Sequence, residues 1–157
     1  MSIYEAFAET IEMEVGFEQF VDDAPTLGIA GKDLANLFVR RAHHRAGRDN
    51  FRGAIDDLLH AIQLDGSSSP AYEALGMAYS SPEIGKYKKA VKNFSQAIKL
   101  SPTPSSYTGR AVARLCCTEK PDQVMADIDH ALRLDPQYGP AQEVLKYIRE
   151  HTSQESK

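Results

Sequence analysis

Apolar residues recur every fourth position at the start of the chain, as Ile3, Phe7, Ile11 and Val15. Ala6, Phe17, Phe20 and Val21 widen the stripe, and acids occupy the other face. This period predicts a helix over about residues 3–21. Ser2 and Glu5 stand at the spacing of a capping box. Asp22 to Lys32, with Pro25, Gly28 and Gly31, reads as a connector. From residue 34 onward the helical stripes come in pairs. The first pair carries Phe38 and Ala42, then a polar turn from Gly47 to Asn50. Its second helix, FRGAIDDLLHAIQLDG, has Ile55, Leu58, Leu59 and Ile62 on its apolar side, with Asp56 and Asp57 off it. The second pair runs from Pro70 to Pro102, with Tyr72, Leu75, Gly76 and Tyr79 on one helix. Ala90, Phe94, Ala97, Ile98 and Leu100 lie on the other. Its inner turn, SSPEIGKY, is long and polar. The third pair holds Tyr107 and Ala111, then Val124, Ile128 and Ala131, with Pro121 suited to a first helical turn. A last stripe, Ala141, Val144, Leu145 and Ile148, follows Pro140, and His151 to Lys157 forms a polar tail expected to fray.

The pairs match one another by position. An aromatic recurs as Phe38, Tyr72 and Tyr107, a small residue as Ala42, Gly76 and Ala111, and an alanine as Ala61, Ala97 and Ala131. The spacings are 34 to 36 residues. Small residues let two antiparallel helices approach closely, and large ones fill the space between them. Taken with Leu75, Tyr79, Ala90, Phe94 and Pro102, this resembles the tetratricopeptide signature, with Tyr72 at its tryptophan position. Arg41 and Arg45 depart from it, standing where leucine and tyrosine are usual. The resemblance implies an all-α fold. It would be a right-handed superhelical array of three helix-turn-helix repeats with an N-terminal helix and a C-terminal capping helix. The expected divisions are 1–33, an acidic helix and connector; 34–136, the repeats (34–68, 69–102 and 103–136); 137–151, the capping helix; and 152–157, the tail. Terminal units of such arrays are atypical because they shield an open end. The N-terminal helix is expected to do this; the alternative is a switch that lies in the protein's own groove.

Composition adds little until it is divided. Over 157 residues the net charge is only −4, which argues against general nucleic-acid binding. Residues 1–33 hold eight acids against Lys32, a net of −7, and the remainder is +3. A basic run, RRAHHRAGRDNFR, reads either as a solvated face or as a reader of anionic ligands. Adjacent His43 and His44 diverge on a helix and make a poor chelating pair. Cys116 and Cys117 have neither disulfide nor metal spacing, which favours a reducing, cytoplasmic setting. One is expected toward the core and one toward the surface, and no lysine or histidine pattern supports redox chemistry. No stretch approaches the length of a membrane span. No phosphate loop, nucleophile elbow or metalloprotease motif is present. The expectation is therefore no catalysis, no cofactor and no metal.

The resemblance also implies a concave groove lined by successive first helices. Carried over by position, it offers Asn36, Val39, Arg40 and His43, then Glu73, Ala74, Met77 and Ser80, then Ser105, Thr108, Gly109, Val112 and Leu115. Such a groove would be cationic at one end and small and apolar at the other. It suits a protein or peptide ligand with an acidic segment, bound by an adaptor that is a monomer or weak homodimer. Arg40, Ala74 and Gly109 stand where a chaperone-tail clamp places asparagines, so that subclass is not expected.

Overall fold

A computed structural model describes residues 16–117 and 121–152. The expected helix over residues 3–15, its capping box and the tail from residue 153 lie outside the described residues. Every regular element among the described residues is helical. The chain divides into two units, Met1–Ser67 and Ser68–Lys157.

The first unit contains α1 (Phe17–Asp23), a 3-10 turn (Ala24–Leu27), α2 (Gly31–Ala46) and α3 (Phe51–Leu64). The expected connector is thus shorter than Asp22 to Lys32. Pro25 fits the start of the 3-10 turn, Gly28 ends it at φ 79°, and α2 begins three residues before residue 34. Asn50 caps α3 by accepting from the Gly53 amide at 3.0 Å. Phe17, Val21, Ala24, Ile29, Leu34 and Leu37 form one buried cluster, with Phe20 and Phe38 packed against it. α1 therefore covers the apolar side of α2.

Polar chemistry holds the same junction. Arg41 is buried, and its Nε and Nη2 donate to both oxygens of Asp57 at 3.0 and 2.7 Å. Its Nη1 donates to Asp22 at 2.5 Å and to the Glu18 carbonyl at 3.1 Å. Arg45 donates to the Glu18 carboxylate at 2.5 Å and lies 3.0 Å from Asp57. Burial works against the charge on Arg41, but hydrogen bonds from Asp57 and Asp22 outweigh it and raise its pKa. The Arg45 hydrogen bond is the main cause holding Glu18 below the usual carboxylate range. This corrects two expectations. Asp57 is not off the buried side: it is 2% exposed, whereas Leu59 is 42% exposed. The face of α3 that meets α2 is Ala54, Asp57, Leu58 and Ala61, and the arginines opposite make a buried carboxylate tolerable. Within the basic run, Arg41 and Arg45 are internal ligands, not a solvated face or an open anion reader.

The second unit holds α4 (Ser69–Ser80), α5 (Tyr87–Leu100), α6 (Pro104–Cys116), α7 (Pro121–Leu134) and α8 (Gly139–Thr152). Ser68 and Thr103 cap α4 and α6, each followed by a proline in the first turn. α4 pairs with α5, and α6 with α7. Phe94 on α5 is 1% exposed and wedges between α4 and α6. A Cβ on Gly76 would lie 2.9 Å from its ring and one on Gly109 would lie 2.5 Å away. Only glycine permits that approach on both sides. α8 lies on α6 and α7, where Ala141 and Ile148 join Ala111, Val124, Ile128 and Ala131.

The third helix pair repeats the ionic pattern of the first. Arg110 donates to both oxygens of Asp127 at 3.0 and 2.6 Å, and Arg114 joins at 2.7 Å. Asp127 is 2% exposed. Tyr107 stacks on His130 as Phe38 stacks on His60, at centroid distances of 5.1 and 5.5 Å. In the second pair the matching arginine positions hold Leu75 and Tyr79, both buried.

Candidate functional site

In the second unit, α4 and α6 leave a groove between them, floored by Phe94 of α5. Its walls are Met77, Ser80 and Ser81 from α4 and its end, and Ser105, Thr108, Gly109 and Val112 from α6. Tyr138, before α8, closes one side. The space is about 320 Å³, enough for one or two side chains. Met77 and Val112 are 45% and 39% exposed, unusually high for large apolar groups. No charged side chain is among the lining residues. Gly109 matters twice, since it admits the Phe94 ring and leaves the α6 backbone open to the groove.

The polar groups differ in their commitments. Ser81 Oγ donates to the Ala78 carbonyl at 3.0 Å, and Thr108 Oγ1 to the Pro104 carbonyl at 2.8 Å. Ser80 Oγ is buried and has no hydrogen-bond partner among the described residues. A buried hydroxyl without a partner carries a desolvation cost that a ligand could relieve.

The residues anticipated for the groove meet different fates. Met77, Ser80, Ser105, Thr108, Gly109 and Val112 line this one space. Glu73 lies outside it. Its carboxylate accepts from Thr103 at 2.9 Å and from Ser106, and so fixes the start of α6 against α4. In the first unit, Asn36 and His43 are exposed and Arg40 is half-buried, while Val39 is only 8% exposed. Ser81, Phe94 and Tyr138 were not anticipated. Phe94 had been read only as core, and Tyr138 lies in the short link before α8, outside any first helix.

Comparison with solved structures follows this geometry. The first repeat domain of Spaghetti (RPAP3), bound to the HSP90 peptide SRMEEVD, superposes with a TM-score of 0.72 at 18% identity. The match covers 79% of this chain and 97% of that one. The second such domain of human RPAP3, in complex with the HSP70 peptide SGPTIEEVD, gives 0.66 at 26% identity, covering 71% and 92%. YrrB, described as a tetratricopeptide protein with an unusual peptide-binding site, gives 0.73 at 15% identity, covering 91% and 73%. The chain has the tetratricopeptide-repeat fold. No family profile and no curated protein matches its sequence. Among the described residues, no tetratricopeptide helix is long and apolar enough to cross a membrane, and no group of metal-ligating side chains is assembled.

Proposed function

We propose that this tetratricopeptide protein is a non-catalytic interaction module that holds an extended segment of a partner protein in the α4–α6 groove. The observation that carries the reading is the pairing of exposed Met77 and Val112 with the unpartnered Ser80 hydroxyl over one small cavity. An apolar side chain of the partner fills the cavity, and a main-chain polar group meets Ser80. The peptide complexes of similar structures support the mode of action. The ligand chemistry differs from a carboxylate clamp, because the groove lining offers no cation. An acidic ligand is the weaker reading, since Arg41 and Arg45 already serve Asp57, Asp22 and Glu18.

α1 serves as a fixed cap in this proposal. Phe17 and Val21 are buried, and the acids beside them pair with α2. Deleting residues 1–33 then exposes α2 and lowers the melting temperature. A truncation that melts unchanged and binds peptide more tightly would instead make α1 a switch.

The test of the groove is selection of a displayed peptide library on the full chain. Affinities of selected peptides are then measured by calorimetry. Met77→Glu or Val112→Glu should weaken binding about 10-fold or more, about 1.4 kcal/mol, while Arg40→Glu leaves it unchanged. Dependence on Arg40 alone, or no selectable peptide, would overturn the proposal.

A further inference from the structure

A second cavity, of about 400 Å³, lies away from the groove, where the long turn before α5 meets the end of α6. It is lined by Gly85, Lys86, Tyr87, Lys88, Lys89, Cys116 and Cys117. Neither cysteine is in a disulfide; Cys116 is exposed and Cys117 half-buried. The expectation that one thiol faces the core is therefore not met. Nor is the thiol pair without lysines: residues some 30 positions earlier in sequence supply three. All three lysines are exposed, and no acidic residue lines the cavity among the described residues. They do not serve their own helix, because cations at a helix N-terminus oppose its dipole. Lys89 has a local contact, its ammonium lying 5.4 Å from the Tyr79 ring centroid; the Lys86 and Lys88 side chains make no hydrogen bond or ion pair among the described residues.

An accessible thiol beside a cluster of cations suits an anionic disulfide. Charge of one sign in a cleft raises the local concentration of an oppositely charged reagent, and thiolate attack on a disulfide sulfur gives a mixed disulfide. The geometry points to Cys116 as a site of reversible S-thiolation by glutathione disulfide, whose carboxylates are held by Lys86, Lys88 and Lys89. Cys116 Sγ bonds to one glutathione sulfur, and the disulfide S–S bond breaks. The released glutathione takes the electron pair and the proton that Cys116 gives up. One protein thiol and one disulfide thus yield one mixed disulfide and one free glutathione.

The test uses the intact chain, with glutathione disulfide and neutral hydroxyethyl disulfide as probes and intact-mass and peptide mass spectrometry as readouts. A single glutathionyl adduct should form on Cys116, persist in Cys117→Ser and vanish in Cys116→Ser. Glutathione disulfide should react faster than the neutral disulfide. That preference should fall by roughly 10-fold in Lys86→Gln/Lys88→Gln, with the neutral rate unchanged. These lysines are exposed, so folding should be kept. In the unmodified protein, raising ionic strength should erode the preference, as screening shortens from about 30 Å at 0.01 M to about 8 Å at 0.15 M. An adduct on Cys117 instead, equal rates for the two disulfides, or a preference unaffected by lysine removal would overturn the assignment.

Discussion

Alanine at Gly109 sets two effects against each other. In an open helix interior, replacing glycine by alanine stabilises by about 0.8–1.0 kcal/mol. At Gly109 the added Cβ would lie 2.5 Å from Phe94 Cζ and 2.6 Å from Cε1, whereas carbon atoms rest about 3.5–4.0 Å apart. The ring can yield only toward the groove that it floors. Phe94 is 1% exposed, and its other side abuts Gly76, where a Cβ would be 2.9 Å away. Overpacking costs roughly 1–3 kcal/mol, occasionally more, and a deficit of this size belongs at the upper end. The net expectation is a loss of about 2 kcal/mol, or roughly 4–8 °C in melting temperature. Thermal and urea unfolding of the full chain, followed by far-UV circular dichroism, would measure it. The same substitution in a Phe94→Leu background should be neutral or stabilising by up to about 1 kcal/mol, since the ring is gone. The coupling between the two sites is then about 2–3 kcal/mol. A Gly109→Ala protein that melts at or above the parent, or one that loses as much in both backgrounds, would refute the reasoning.

Three further outcomes follow from the packing and the charges. Ala97 has no exposed surface, so Ala97→Leu should cost about 1–3 kcal/mol; an unchanged melting curve would show that no close helix contact exists there. Asp127→Ala strands Arg110 and Arg114 and should cost about 3–5 kcal/mol. Installing the second repeat's residues (Arg110→Leu, Arg114→Tyr, Asp127→Asn) should cost less than that single change, and the opposite order of stabilities would contradict the pairing. Glu18 has a depressed pKa in the folded chain, so its contribution is present above its unfolded value near 4.5 and is lost as pH falls through the lower folded value. Acid titration of stability should therefore be shallower in Glu18→Gln below about pH 4.5; identical acid limbs would mean that the Arg45 contact does not contribute.

The fold was legible because its determinants are periodic. Aromatic and small residues at fixed offsets report a 3.6-residue helix and a 34-residue unit together, and neither depends on knowing the neighbours. Phe38, Tyr72 and Tyr107 could be aligned for that reason. The buried aspartates could not. A charge between apolar positions reads as a solvent-facing residue unless its partner is known, and Arg41 lies 16 residues before Asp57. The signal was nevertheless present twice. Arg-x-x-x-Arg stands where leucine and tyrosine are usual at 41 and 45 and again at 110 and 114, each followed by an aspartate 16 or 17 residues later. The groove was half legible. Met77, Ser80, Thr108 and Val112 follow from helix position, whereas Ser81 and Tyr138 enter through the turn and link geometry. The lysine-lined thiol cavity had no sequence signal, because the start of α5 and the end of α6 meet only once the helices pack.

The recurrence of the arginine network changes what the acidic N-terminal segment means. A guanidinium has five donors, and a bidentate carboxylate takes only two. In the third helix pair, α5 meets a remaining Arg110 donor with the Ser95 hydroxyl at 3.1 Å. In the first pair, α1 supplies Asp22 and the Glu18 carbonyl to Arg41. α1 thus does for the first repeat what α5 does for the third: it covers the apolar side and completes the hydrogen bonding of a buried cation. Acids are well suited to this end of the array, where the junction is more open: the Glu18 and Asp22 side chains are 42% and 61% exposed. Solvent there keeps the carboxylates' desolvation cost low while their contacts to Arg41 and Arg45 are retained. Part of the local excess of negative charge is thereby accounted for by the arginines within the same unit.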